Sequence, residues 1–71
     1  MNELNTKDEL TKADGDIADA RRRIAQQREL IGRIARNGQD TRAAEHLLTT
    51  MLEILDAMHA HRRIILTELR L

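Results

Sequence analysis

The sequence contains no cysteine, proline, phenylalanine, tryptophan or tyrosine. The absence of cysteine excludes a disulfide framework and any cysteine-ligated metal site. The absence of aromatic residues removes the stacking platforms on which proteins hold single-stranded nucleic acid bases. Because proline is the residue that most strongly interrupts a helix, nothing in the chain forbids long continuous helices.

The residues that remain are mostly those that favour helices. The 71 residues are 41% hydrophobic and 34% charged, and leucine, alanine and isoleucine dominate the hydrophobic set. This composition is too apolar for a disordered chain and too charged for a membrane span. Valine is also absent, so most strand-forming residue types are missing. We expect one all-α domain that covers residues 1–71.

The charges balance, with 12 basic and 12 acidic residues. A neutral chain gives no general argument for binding nucleic acid or an anionic membrane. The first residues are polar where a signal peptide would carry an apolar stretch, and no run approaches the ~20 apolar residues that cross a bilayer. The sequence therefore predicts a cytoplasmic protein without a membrane partner.

The first helix is predicted over about residues 7–36. Thr6 and Glu9 have the spacing of a capping box, so residues 1–6 are expected to be frayed. Asp14 and Gly15 offer a later start, because aspartate can cap a helix and glycine weakens a helix interior, so the fraying can extend to about residue 15. Apolar residues recur along this helix with the seven-residue period of a coiled-coil seam. The seam positions are Leu10, Ile17, Ile24, Ile31 and Ile34, with Ala13, Ala20 and Gln27 between them.

A turn is predicted at Asn37, Gly38 and Asp40. Glycine readily adopts the left-handed conformation that follows a helix end, so Gly38 suits this position. Asp40 or Thr41 can cap the next helix. A connection of three or four residues forces the two helices to lie side by side and antiparallel. The sequence thus predicts a helical hairpin.

The second helix is predicted over about residues 41–70. Its apolar residues follow alternating spacings of four and three, which again forms a seam. Leu47, Ile54 and His61 widen this stripe on one side, whereas Leu52 and Leu66 widen it on the other. The helix is therefore apolar over more than half of its circumference, which predicts more than one neighbour. The seam positions are Ala44, Leu48, Met51, Leu55, Met58, Arg62, Ile65 and Leu69.

Two helices in contact bury only one strip each, and a chain of this length that does so is marginally stable at best. A second hairpin packed against the first covers the remaining apolar stripes. We therefore predict a homodimer in which two hairpins form a four-helix bundle with the seam residues in its core. The acidic first half and basic second half of helix 1 favour an antiparallel arrangement. A different helical protein that completes the bundle is the alternative partner.

Gln27 and Arg62 occupy seam positions that otherwise hold apolar residues. One interpretation is that the register is misassigned, or that Arg62 extends its charged end to solvent at the edge of the bundle. The other is that a polar group in the seam fixes the orientation of the helices at a cost in stability. The second interpretation predicts that Gln27→Leu stabilises the dimer but loosens its specificity.

The sequence contains no recognisable catalytic, cofactor-binding or metal-binding motif. Serine and cysteine nucleophiles are absent, as is a glycine-rich phosphate loop. His59 and His61 lie two residues apart, on different faces of a helix, so one chain cannot direct both at a single metal ion. We expect a protein that is not an enzyme and that has no cofactor.

The basic residues cluster in the second half of helix 1. On a helical wheel, Arg22, Arg33 and Arg36 point away from the seam and can contact phosphates. The competing interpretation is a solvated helix face whose arginines pair with acidic residues of helix 2. Nucleic acid is therefore the less favoured partner, and a small nucleic-acid-binding regulator is the alternative function.

Four short motifs stand out along the chain: IAQQREL at residues 24–30, Gly38 with Asp40-Thr41, Ala44 with Leu47-Leu48, and His61-Arg62. Together they resemble a group of short uncharacterised bacterial helical-hairpin proteins over about residues 17–65, and this resemblance implies no known activity. The expected architecture is also similar, by shape alone, to the plasmid RNA-binding repressor-of-primer dimer, whose RNA-binding face uses an aromatic residue that this chain lacks. We expect a non-enzymatic interaction or regulatory module.

Overall fold

The computed structural model describes the backbone of residues 3–70 and the side chains of residues 6–70. Within this range the chain forms two helices, α1 (Glu3–Arg36) and α2 (Arg42–Arg70), which pack against each other as a hairpin. The predicted all-helical hairpin is therefore confirmed. The molecule is a rod 54 Å long and 15 by 13 Å across. The fraying predicted for residues 1 and 2 lies outside the described residues.

Helix α1 begins earlier than the capping pattern predicts. It is already helical at Glu3, so the predicted start near residue 7 is wrong. Thr6 lies within the helix, and its side chain is buried. The later start at Asp14 and Gly15 is also wrong, because α1 runs through both residues without a break. Ala13 and Ile17 are buried on either side of Gly15. Their burial against α2 outweighs the ~1 kcal/mol by which one glycine weakens a helix.

The turn between the helices ends α1 with two backbone hydrogen bonds. The Gln39 N–H donates to the Ile34 carbonyl at 3.1 Å, and the Gly38 N–H donates to the Ala35 carbonyl at 3.0 Å. Gly38 has a φ of 73°, in the left-handed region. This pattern is the Schellman motif, which satisfies carbonyls that the end of a helix leaves unpaired.

Helix α2 is capped by the side chain of Asp40. The Arg42 N–H donates to Asp40 Oδ1 at 3.0 Å, and the Arg42 guanidinium donates to both carboxylate oxygens at 2.7 to 3.2 Å. These hydrogen bonds, first from the guanidinium and then from the backbone, hold the pKa of the Asp40 carboxyl below its usual value. The first intrahelical bond runs from the Glu45 N–H to the Thr41 carbonyl, so α2 begins one residue later than expected.

The contact between the helices follows the seam that the sequence predicts. The buried apolar residues are Ala13, Ile17 and Ile24 of α1 and Ile65 of α2, and Ile65 alone among the large side chains described is less than 2% exposed. The remaining seam residues are partly buried. They are Leu10, Ile31 and Ile34 of α1 and Leu48, Met51, Leu55, Met58 and Leu69 of α2.

Two polar contacts fix the register between the helices. Gln27 is buried in the seam, and its Nε2 donates a hydrogen bond of 2.8 Å to the Ala44 carbonyl in the first turn of α2. Near the other end of the rod, Arg62 Nε donates to Asp14 Oδ1 at 2.6 Å. Gln27 and Arg62 thus both lie in the seam, as the sequence predicts, and each side chain has a partner on the facing helix.

Candidate interaction surface

Four large apolar side chains are exposed to solvent. Leu30 is 37% exposed, Leu47 51%, Ile54 50% and Ile64 58%. Three of the four belong to α2, where Leu47 and Ile54 are seven residues apart and therefore point in nearly the same direction. Ile64 follows ten residues after Ile54, which places it within a quarter turn of that row. Helix α2 therefore presents an apolar stripe to solvent, with Thr50 and His61 between its apolar residues.

A groove between the helices shows where this stripe lies on the hairpin. The groove has a volume of about 240 Å³, and Ile54 forms one of its walls. Arg23 of α1 also lines the groove. Leu30 comes seven residues after Arg23 and therefore lies on the same side of α1. The complete lining is Asp16, Asp19, Ala20, Arg23, Met51, Ile54 and Met58. We call this side of the hairpin the open face, which comprises the groove together with Leu30, Leu47 and Ile64.

The two flanks of α2 have different environments. Leu52 and Leu66, which widen the seam on one flank, are partly buried, whereas Leu47 and Ile54 on the other flank are exposed. One neighbouring helix therefore covers the seam and the first flank but leaves the second flank in water. The expectation that α2 has more than one neighbour stays a prediction.

The opposite side of the hairpin is polar. A second groove there, of about 330 Å³, includes the Asp14–Arg62 ion pair. Arg21 and His59 add two further polar side chains to its walls, so large exposed apolar groups do not line it. The complete lining is Asp14, Ile17, Ala18, Arg21, His59 and Arg62. The large exposed apolar side chains of the described residues thus lie on the open face.

The arginines of α1 lie on the outer surface. Arg22 donates to Asp19 of its own helix, not to an acidic residue of α2. Arg33 and Arg36 are exposed in the last turn of α1, and Arg36 folds back until Nη1 is 3.3 Å from the position that a β-carbon on Gly32 would take. The expected pairing of these arginines with α2 is wrong for Arg22. Among the described side chains, the ion pair that joins the helices is instead made by Arg62 of α2.

The described residues form neither a cluster of metal ligands nor a helix that could span a membrane. Among the side chains of residues 6–70, no three histidine, aspartate or glutamate groups gather closely enough to hold a metal ion. Neither α1 nor α2, over the residues described, combines the length and the apolar character needed to cross a bilayer.

No family model, curated protein or solved structure matches this chain. The resemblance to short helical-hairpin proteins therefore stays a prediction. The open face, which carries the large exposed apolar side chains of the described residues, is therefore the feature that bears on function.

Two residues of the open face carry no clear signal in the sequence. Leu30 is the only apolar member of its heptad row in α1, which otherwise holds Glu9, Asp16 and Arg23, so periodicity does not reveal it. Ile64 lies next to Ile65 in a short apolar run, where spacing alone does not show which of the two faces the partner helix. The structure separates them, because Ile65 is buried and Ile64 is exposed.

Proposed function

We propose that this protein is a non-enzymatic self-association module, in which the open faces of two copies pack together to form a homodimeric four-helix bundle. The observation that carries the proposal is the exposure of Leu30, Leu47, Ile54 and Ile64 on a single side of the hairpin. Contiguous apolar surface of this kind marks protein interaction sites in water-soluble chains. The bundle serves as an interaction or regulatory module.

The accessible surface of the hairpin supports a partner of about the same size. The chain exposes 5550 Å², whereas a compact monomer of this mass exposes about 4,500 Å². The excess of about 1,000 Å² arises because the molecule is a thin rod. A stable interface buries about 800 Å² on each partner, so one interface of ordinary size removes most of this excess.

A second copy suits this face better than a short peptide or a compact protein. The apolar stripe of α2 runs from Leu47 to Ile64, which is about 26 Å at 1.5 Å per residue. A second hairpin offers a straight surface of the same length and the same apolar residues. Closed two-fold dimers are also the commonest arrangement of identical chains.

The mass of the purified chain in solution tests this proposal. We expect light scattering or sedimentation at micromolar concentration to give twice the 8.2 kDa of one chain. Ile54→Lys places a charge in the middle of the open face, and we expect it to abolish the dimer. A helical wild-type chain that keeps the mass of a monomer at all concentrations contradicts the proposal.

Thr49→Lys is the matched control for Ile54→Lys. It adds the same charge to α2, but Thr49 is exposed on the other side of that helix from Ile54. Lysine at this position lies four residues from both Glu45 and Glu53, so it favours the helix locally. We expect this variant to remain a dimer, and its dissociation would show that added charge, not the open face, is responsible.

A further inference from the structure

The charged residues that border the open face on α1 follow a definite order. Glu9, Asp16, Arg23 and Leu30 are each seven residues apart and therefore form one row along this side of the helix. The row is acidic in the first half of α1 and basic, then apolar, in the second half. Asp16 is partly buried and Arg23 is exposed, and both line the groove beside Ile54.

We propose that Asp16 of one copy pairs with Arg23 of the second copy across a two-fold axis perpendicular to the helices, so that the two α1 helices lie antiparallel. This inference rests on the proposed self-association. The point midway between Asp16 and Arg23 falls between residues 19 and 20, which is also the middle of Glu3–Arg36. An axis at this point therefore aligns the two α1 helices along their full length and forms the ion pair twice.

The apolar stripe of α2 has the same centre. Residues 47 and 64 are equally far from a point between residues 55 and 56, as are residues 54 and 57. This point lies within one residue of the middle of Arg42–Arg70, which is residue 56. The same axis therefore brings Leu47 against Ile64 of the second copy and Ile54 against Ala57 of the second copy. Thr50 and His61, which lie between these apolar residues, face each other across the same axis.

The contacts inside the hairpin allow one axis to cross both helices. Asp19 and Ala20, at the centre of α1, line the same groove as Ile54, near the centre of α2. The centres of the two helices thus lie beside each other. A two-fold axis that satisfies the charges of α1 also satisfies the apolar stripe of α2, within one or two residues.

The other two-fold arrangement gives poorer contacts. An axis parallel to the helices places α1 of one copy against α2 of the second copy. Asp16 and Arg23 then face the apolar stripe around Ile54, where a charged group loses its hydration and gains no partner. The perpendicular axis avoids this penalty for Asp16 and Arg23, which meet each other, and it places Glu9 opposite Leu30 of the second copy nearer the ends of α1.

Both side chains have the capacity to form the pair. Asp16 Oδ2 already accepts a hydrogen bond of 2.9 Å from Lys12, but a carboxylate has about four acceptor positions, so Oδ1 can accept from the second copy. Among the side chains that the structure describes, Arg23 makes no ion pair. Its guanidinium is therefore available to a partner at this position.

Charge reversal tests the pairing. Asp16→Arg and Arg23→Asp each place like charges opposite each other in a homodimer, and we expect each to weaken dimerisation roughly tenfold or more at low salt. The Asp16→Arg/Arg23→Asp double variant restores both pairs and should return the dissociation constant to within a few-fold of wild type. Arg28→Asp, at an exposed residue one heptad after Arg21 on the side of the second groove, is the control and should leave dimerisation nearly unchanged.

Mixing the two single variants separates pairing from effects on the helix itself. A heterodimer of Asp16→Arg with Arg23→Asp contains two oppositely charged pairs, so we expect the mixture to form heterodimers more strongly than either variant forms homodimers. A local loss of helix stability persists in both variants and cannot be repaired by mixing. Failure of both the double variant and the mixture to recover would overturn the proposed pairing.

A distance measurement tests the axis directly. The chain has no cysteine, so Gln39→Cys in the turn provides a single attachment point for a spin label. The perpendicular axis puts the two turns at opposite ends of the dimer, separated by about the 54 Å length of the rod. The parallel axis puts them at the same end, within about 20 Å, since neighbouring helix axes are 8–10 Å apart. A short distance in a dimeric wild type overturns the perpendicular axis alone, whereas a monomeric wild type overturns self-association as well.

Discussion

The Nε atom of Arg62 lies 2.6 Å from Oδ1 of Asp14 and joins the two helices across 48 positions of the chain. Arg62 occupies a seam position, yet its side chain is 36% exposed and that of Asp14 is 53% exposed. The charged end of Arg62 therefore leaves the seam and meets its partner at the solvent edge. This geometry accounts for an arginine among apolar residues without a buried charge.

A double-mutant cycle on this pair should give a small, salt-sensitive coupling. We expect Arg62→Ala, Asp14→Ala and the double variant to show a coupling free energy of about 0.5–1 kcal/mol, because solvent screens a partly exposed ion pair. Urea unfolding at a fixed chain concentration provides the measurement. The coupling should fall in 1 M sodium chloride, and a coupling that is unchanged by salt would contradict the assignment.

The stability of the protein should change in different directions when the amide of Gln27 is removed in different ways. Gln27→Leu keeps the volume of the side chain in the seam and removes a polar group, so we expect the melting temperature to rise while the pairing of helices becomes less specific. Gln27→Ala removes both the packing and the hydrogen bond to Ala44, so we expect a loss of about 1–3 kcal/mol.

Gln27→Glu separates the hydrogen bond from the shape of the side chain. It is nearly isosteric with glutamine, but it replaces the amide donor with a carboxylate that faces the Ala44 carbonyl. We expect Gln27→Glu to be the least stable of the three variants at neutral pH. Gln27→Leu melting below the wild type would count against the idea that this residue sacrifices stability for specificity.

Replacement of glycine by alanine should have opposite effects on stability at Gly38 and at Gly15. Gly38 has a positive φ, so Gly38→Ala forces a β-carbon into the left-handed region and should lower stability by about 1–2 kcal/mol. Gly15 lies inside α1, and a β-carbon there meets nothing within 4 Å. Gly15→Ala should therefore raise stability by about 0.5–1 kcal/mol. Chemical unfolding of both variants measures the contrast, and effects of the same sign would refute it.

The Asp40 cap should make stability depend on pH in acid. Because folding lowers the pKa of Asp40 from a usual value of 3.8, its contribution is present above that pH and is lost as the pH falls through the lower folded pKa. Asp40→Asn retains an acceptor for the Arg42 N–H but does not titrate. We expect the wild type to melt higher than Asp40→Asn at pH 7 and the difference to shrink below about pH 4. A difference that stays constant across this range argues against the ionised cap.

The hairpin, its turn and the end of α1 follow from local signals in the sequence. Gly38 is predicted at the left-handed position, and the seam residues from Leu10 to Leu69 all become buried or partly buried. These features depend on periodicity and on backbone preferences, which the residues themselves determine. The start of α1 does not follow from such signals. The residues around Thr6 suit both a capping box and the interior of a helix, and in the structure the helix continues through Thr6, whose side chain is buried.

The open face could be predicted only in part. The sequence shows that α2 has two apolar flanks, but the choice between Leu52 and Ile54 depends on the rotation of α2 against α1. That rotation is fixed by tertiary contacts such as the hydrogen bond from Gln27 to the Ala44 carbonyl. Leu30 and Ile64 join the open face for the same reason, because their exposure depends on the packing of both helices.

Because the rod is thin, the folded fraction of the proposed dimer should depend on the concentration of the chain. With a thickness of 13 to 15 Å, the hairpin has almost no interior, and Ile65 is the one large side chain described that is fully shielded from water. Backbone amides along such a rod gain little protection from the fold of a single chain. Folding and assembly of the proposed dimer then become one event, whose midpoint shifts with chain concentration. Dilution should therefore accelerate hydrogen exchange throughout both helices, and the quantity of protein made by the cell would set the folded fraction.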